Sequence, residues 1–145
     1  MGVFFVSGCS PIFGWFPASK STTSRFMAHP RTLLISGASR GIGRAIASRA
    51  LADGHRLSLG VRNPQALAGT ALARSDRVFL QRYDALEPET AEDWVQATQE
   101  HFGGGTGGID AVIHCAGIFS RVGLLFGEGE GKEIERVWQV NVMGP

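Results

Sequence analysis

The sequence predicts an α/β fold, a doubly wound parallel sheet with helices on both faces. Three observations predict it. Short apolar runs alternate along the chain with segments whose apolar residues recur at helical spacing. Strands separated by helices make βαβ units, whose crossovers leave neighbouring strands parallel. A glycine-rich segment, "ISGASRGIGRA", joins the first apolar run to the first helical segment.

The elements follow in order. "TLLIS", Thr32 to Ser36, is a short apolar run that ends at a glycine turn, the pattern of a buried strand. A helix from Gly41 places Ile42, Ala45, Ile46 and Ala50 on one face, and Gly54 is its expected C-cap. "RLSLGVR" alternates Leu57, Leu59 and Val61 and reads as a second strand. Pro64 opens a short helix through Ala73. "RVFLQRY", Arg77 to Tyr83, is a third strand. Thr90 and Asp93 make a capping-box pattern. The helix they start carries Ala91, Trp94, Val95, Thr98 and Phe102 on one face. "GGGTGG" then has too few side chains to pack and reads as a flexible connector. "IDAVIH", Ile109 to His114, is the fourth strand. A final helix begins near Glu130, with Ile134, Val137, Trp138 and Asn141 at the spacing of one face. That face is expected to be buried, with an amide as its one polar member.

A length of 145 residues implies one domain. Lys and Arg number 14 against 13 Asp and Glu, so bulk charge points to neither nucleic acid nor an anionic membrane. Cys9 and Cys115 form no metal-ligand spacing and no disulfide framework, which fits a reducing, cytoplasmic compartment. The segment before residue 30 differs from the rest. "MGVFFVSGCSPIFGWFPAS" carries no charge, but its prolines and glycines argue against a membrane helix. It lacks the basic start of a secretory signal. "SKSTTSR" is Ser-rich, basic and acid-free, so organelle targeting through residues 1–26 stays open beside an unstructured or mis-started extension. The division expected is 1–29 as extension and 30–145 as an incomplete nucleotide-binding domain.

Gly37, Gly41 and Gly43 stand between the first strand and the first helix. Glycine serves there where φ is positive and where backbone must approach a pyrophosphate. The helix N-terminus then offers unpaired N–H groups to the anion. No Gly-Lys-Ser/Thr follows, which rejects a Walker A loop. A carboxylate at the end of the second strand would bind the ribose 2′-hydroxyl of NAD. Val61 occupies that position here, Arg62 follows it, and Arg40 lies in the loop. Two guanidinium groups suit a 2′-phosphate, so NADP(H) is expected over NAD(H).

These residues resemble the short-chain dehydrogenase/reductase (SDR) family. "SGASRGIG", Ser36 to Gly43, is similar to its TGxxxGIG loop. "YDAL" places Asp84 where the family holds the adenine, "HCAG" stands for the usual NNAG, and "VNVMG" matches hNhxG (h is hydrophobic). The likeness covers about residues 31 to 145. It implies a Rossmann-type sheet and a cofactor site formed by Ser36, Gly37, Ser39, Arg40, Gly41, Ile42, Gly43, Arg62, Asp84, Ala85, Cys115, Ala116 and Gly117. It implies Asn141 as a catalytic-group residue and no metal. The activity implied is hydride transfer between nicotinamide and a carbonyl or alcohol substrate, in a protein whose relatives are homo-oligomers.

The resemblance also has a gap. The family's proton donor is a Tyr in Tyr-x-x-x-Lys, preceded by a Ser, all downstream of the Asn. The sole tyrosine here is Tyr83, and Lys20 and Lys132 do not match that spacing. The family's strand order 3-2-1-4-5-6-7 is expected as 3-2-1-4, with strand four an uncovered apolar edge. Two readings remain: the NADP(H)-binding portion of an oxidoreductase, inactive on its own, or a dinucleotide-binding protein without catalysis, such as a sensor. An interaction protein would leave the glycine loop unexplained. Phe119, Leu124, Leu125 and Phe126 are expected along one wall of the substrate site, whose substrate the sequence does not name.

Overall fold

The computed structural model describes residues 29–103, 108–121, 127 and 130–144. The extension 1–28, the middle of "GGGTGG" (104–107) and the apolar Leu124, Leu125 and Phe126 lie outside the described residues.

Four strands form one parallel sheet: β1 (Thr32–Ser36), β2 (Arg56–Val61), β3 (Val78–Arg82) and β4 (Ala111–Ile113). Their order is β3-β2-β1-β4, as the motifs implied. Leu33 lies opposite Leu57 and Ile35 opposite Leu59, so the apolar alternation of both strands falls on the same face. That face packs on α1 (Gly41–Ala52), where Ile35, Leu57, Leu59 and Val61 join Ala47, Ala50, Leu67 and Leu72. The other face carries Leu34 and Tyr83 and is covered by α2 (Glu89–Phe102), which packs Trp94 against them.

The two helices differ from their sequence pattern in instructive ways. In α1 the buried residues are Gly43, Ala47 and Ala50, while Ile42 is 76% exposed and Ala45 is exposed. The helix approaches the sheet on its smallest residues: a Cβ on Gly43 would stand 2.6 Å from the Gly37 carbonyl oxygen. A larger side chain at the contact would push the helix away. In α2 the buried face is Thr90, Trp94 and Thr98, and Val95 is exposed. The expected capping box does not form, because the helix starts before Thr90. The Thr90 hydroxyl instead accepts from the Asp84 N–H (3.0 Å) and donates to the Glu87 carbonyl (2.6 Å), tying down the loop after β3.

A closed polar circuit joins β2 to α2. Trp94 Nε1 donates to Ser58 Oγ (2.8 Å), and Thr98 Oγ1 donates to the Trp94 carbonyl (2.7 Å). The Thr98 hydrogen is thereby committed, so Ser58 donates in the 2.7 Å bond between the two hydroxyls. All three buried polar groups are satisfied, which their burial requires. Gly60 completes the seat, since a Cβ there would lie 2.8 Å from the Trp94 ring.

Pro64–Leu67 is a single 3-10 turn, shorter than the predicted helix to Ala73, and it buries Leu67. β3 and β4 are also shorter than predicted. The last helix, α3 (Glu130–Trp138), buries none of its described residues and continues into a π-helical turn, Gln139–Met143. Of the predicted buried stripe, Ile134, Trp138 (54% exposed) and Asn141 are exposed and Val137 is half-buried, while Val140 is buried. The π turn holds an extra residue and shifts only the positions after Trp138, Asn141 among them.

Candidate functional site

The carboxyl ends of the four strands open onto one cleft of about 580 Å³. In open α/β sheets this is where a ligand binds, at the point where strand order reverses on either side of β1. The wall on the α1 face is the loop from Gly37 to Gly43; the floor is the ends of β2 and β4; the opposite wall carries residues of α3 and the π turn.

The loop conformation demands glycine at two positions for different reasons. Gly37 has φ +68°, and a Cβ there would meet Ala116 N at 2.6 Å, so it serves close packing of β1 against the turn after β4. Gly41 has φ +58° with nothing within 4 Å of an added Cβ, although it lines the cleft. Its backbone is bare towards open space, as close approach by a ligand requires. The N-terminus of α1 has no side-chain cap and no acidic residue in its first turn. Its unpaired N–H groups and dipole favour an anion at this place. These features of the chain fit the pyrophosphate of a dinucleotide.

Ser36 Oγ accepts from both Cys115 N and Ala116 N, each at 3.1 Å, and locks the end of β1 to the turn after β4. Ser36 is fully buried and does not line the cleft. Its place is beneath the loop. Gly37, Ser39, Arg40, Gly41, Ile42, Gly43, Arg62, Asp84, Ala85, Cys115, Ala116 and Gly117 all line the cleft. Asn141 does not, yet it braces the cleft from behind. Its Nδ2 donates to the Ile118 carbonyl and its Oδ1 accepts from the Ile118 N–H, both at 2.8 Å. The expected buried amide is therefore an exposed residue whose amide pairs edge-on with the backbone just after "HCAG".

On the β3 side, Asp84 Oδ1 accepts from Leu86 N (3.1 Å), an Asx turn that shapes the loop. The Tyr83 hydroxyl donates to the Gly144 carbonyl (2.7 Å), and its ring packs 5.1 Å from that of Trp94. Burial, and then the neighbouring Asp84, push the Tyr83 hydroxyl above its ordinary pKa. It therefore stays protonated near neutrality and keeps its bond to Gly144. Gly144 also seats on Ala85, where an added Cβ would stand 2.6 Å from the Ala85 Cβ. Sequence reasoning missed Asn63, Ala66, Leu86, Arg136 and Val140, which also line the cleft. Arg136 is one helical turn before Val140 and shares its side of the helix. No group of three or more His, Cys, Asp or Glu able to hold a metal occurs among the described residues. No described helix is long and apolar enough to cross a membrane.

Residues 31–145 match the family described as short chain dehydrogenase. This chain belongs to that family. An SDR relative, agropine synthesis reductase of Rhizobium rhizogenes, is 38% identical over 113 residues, which are 78% of this chain and 25% of that protein. The 2-(R)-hydroxypropyl-CoM dehydrogenase of Xanthobacter autotrophicus is 33% identical over 79% of this chain and 46% of its own length. Among solved structures, an SDR from Brucella melitensis described as glucose/ribitol dehydrogenase superposes with a TM-score of 0.68 at 31% identity, over 79% of this chain and 46% of that one. A short-chain dehydrogenase from Streptomyces avermitilis gives 0.69 at 26% identity, over 80% and 41%. The chain spans between a quarter and half of the length of these relatives. The fold is thus shared with dehydrogenases and reductases of a family that typically binds nicotinamide dinucleotides.

Proposed function

We propose that this chain is the NADP(H)-binding portion of an SDR oxidoreductase acting on a carbonyl or alcohol substrate. One observation carries the cofactor preference. Arg40 and Arg62 line the same cleft, and Val61 stands at the end of β2 where a carboxylate would select NAD. A 2′-phosphate placed there gains charge-assisted, bidentate partners, whereas a 2′-hydroxyl finds no acceptor carboxylate. In this reading Gly37, Ser39, Gly41, Ile42 and Gly43 hold the pyrophosphate. Asp84 and Ala85 take the adenine, and Cys115, Ala116 and Gly117 run beneath the nicotinamide half. The bound nicotinamide supplies or accepts the hydride. Asn141 fixes the backbone at Ile118, beside the place where that half would lie. A cytoplasmic setting belongs to this reading, with Cys115 a free thiol in the cleft.

Dissociation constants for NADPH and NADH test the preference. NADPH is expected to bind at least about tenfold tighter, the order of one charge-assisted contact. Equal affinity, or tighter NADH, overturns it.

Under this reading, as under binding without turnover, Tyr83 is not the proton donor. The sole tyrosine is committed to Gly144 on the β3 side, and neither lysine stands in Tyr-x-x-x-Lys. The polypeptide 1–145 alone is therefore expected to bind NADPH without oxidising it in the presence of a carbonyl substrate. Sustained NADPH oxidation by the purified polypeptide would refute this.

A further inference from the structure

We propose that Arg136 is an additional nucleotide-binding residue whose guanidinium lies flat against the adenine ring; this rests on reading the cleft as a dinucleotide site. The described residues lining the cleft include three guanidinium groups, Arg40, Arg62 and Arg136, and one carboxylate, Asp84. Arg40 and Arg62 come from the glycine loop and the end of β2. Arg136 comes from α3, on the other wall.

The anchoring of α3 locates it. Gly144 seats on Ala85 and accepts from Tyr83, so the chain after α3 is pinned to the loop that follows β3. Tyr83 belongs to the apolar group with Leu34 and Trp94, the sheet face opposite α1. Val140, buried, shares the cleft lining with Leu86 and Arg136. Arg136 stands one turn before Val140 and hence farther along that wall. A planar ring held by Asp84 and Ala85 would therefore have apolar Leu86 and Val140 around it and Arg136 over it.

The side chain is available for this role. Its contact with Glu133 is 3.4 Å long, between half-exposed groups three residues apart on one helix. Such a pair contributes little, so redirecting the guanidinium costs little. A guanidinium is planar and weakly hydrated, and it stacks on aromatic faces where the compact ammonium of lysine does not.

Binding of NADPH and of adenosine 2′,5′-bisphosphate to the full chain, measured by calorimetry, tests the proposal. Arg136→Met is expected to weaken both ligands by the same factor, about three- to tenfold, the range of a cation–π contact. Arg136→Lys, which keeps the charge and loses the plane, is expected to recover only part of that affinity. The thermal midpoint should hold in both variants, because Arg136 is exposed. Unchanged affinity in Arg136→Met overturns the proposal. So does full recovery in Arg136→Lys, or a loss confined to NADPH, which would place the contact away from the adenine. If the unmutated chain binds neither ligand, the dinucleotide reading of the cleft fails and this inference falls with it; if it binds both, the variants judge Arg136 alone.

Discussion

β2 and β4 flank the same central strand and have opposite surroundings. Every residue of β2 from Leu57 to Val61 is buried, with α1 on one face and Trp94 on the other. β4 is three residues long, and Val112 is 50% exposed among the described residues. The β2 side is built on dense packing: buried aliphatic side chains against α1, a tryptophan on Gly60, a satisfied polar circuit. The β4 side has one close approach, Gly37 against the turn after β4, and is otherwise held by a few directed hydrogen bonds, from Ser36 beneath and Asn141 behind. Where packing is dense, the loss of one atom or the gain of one is felt at once. Where it is sparse, single bonds carry the geometry.

Four substitutions probe that contrast. The largest effect is expected from Gly37→Ala. A left-handed residue would gain a Cβ 2.6 Å from Ala116 N, costing roughly 2–5 kcal/mol in strain and overpacking. Urea unfolding would show the loss, and NADPH binding should vanish with it. A variant as stable as the parent would mean that β1 and the turn after β4 can part freely.

Ser58→Ala comes next. It leaves Trp94 Nε1 without its acceptor and Thr98 Oγ1 without its donor, both buried. A loss of about 1–3 kcal/mol is expected for an unsatisfied buried group. Unfolding followed by tryptophan fluorescence reads it.

Tyr83→Phe should cost about 0.5–1.5 kcal/mol, the net value of one hydrogen bond. It also has a pH signature. The folded pKa of Tyr83 is raised, so the unfolded chain loses the proton first. The contribution is constant below the unfolded value near 10 and is lost as pH climbs from about 10 towards the folded pKa. The stability-against-pH curve of Tyr83→Phe should lack that alkaline decline, and an identical decline in both proteins would contradict the assignment.

The smallest effect on stability is expected from Val112→Lys, under about 0.5 kcal/mol at an exposed site. Its readout is association. A charge on an edge strand opposes pairing with another chain, so light scattering should show less self-association than in the parent. Unchanged scattering would show that the edge is not what brings chains together.

Much of this was legible in the sequence. β1 was read with its exact bounds, and the order of the strands and the glycine loop followed from motifs that are contiguous in the chain. Twelve of the thirteen residues expected to bind the cofactor line one cleft, and the thirteenth, Ser36, lies under it. What escaped was whatever depended on distance between segments. The role of Ser58 is not legible in the sequence, because its partners Trp94 and Thr98 are 36 and 40 residues away. Ile42 looked like core, because periodicity does not report that α1 approaches on Gly43 and Ala47. Asn141 looked buried because a π turn was invisible to a count based on 3.6 residues per turn.

The parallel α/β architecture, the phosphate-type loop and the absence of a carboxylate at the end of β2 are all legible in the amino-acid order. Those properties are written in local pattern: apolar period, glycine spacing and the identity of a single position. Only the tertiary structure decided which helix faces were buried, how Ser36 and Asn141 clamp the turn after β4, and that Arg136 enters the cleft. Those are set by how closely one backbone can approach another, and no stretch of chain carries that information alone.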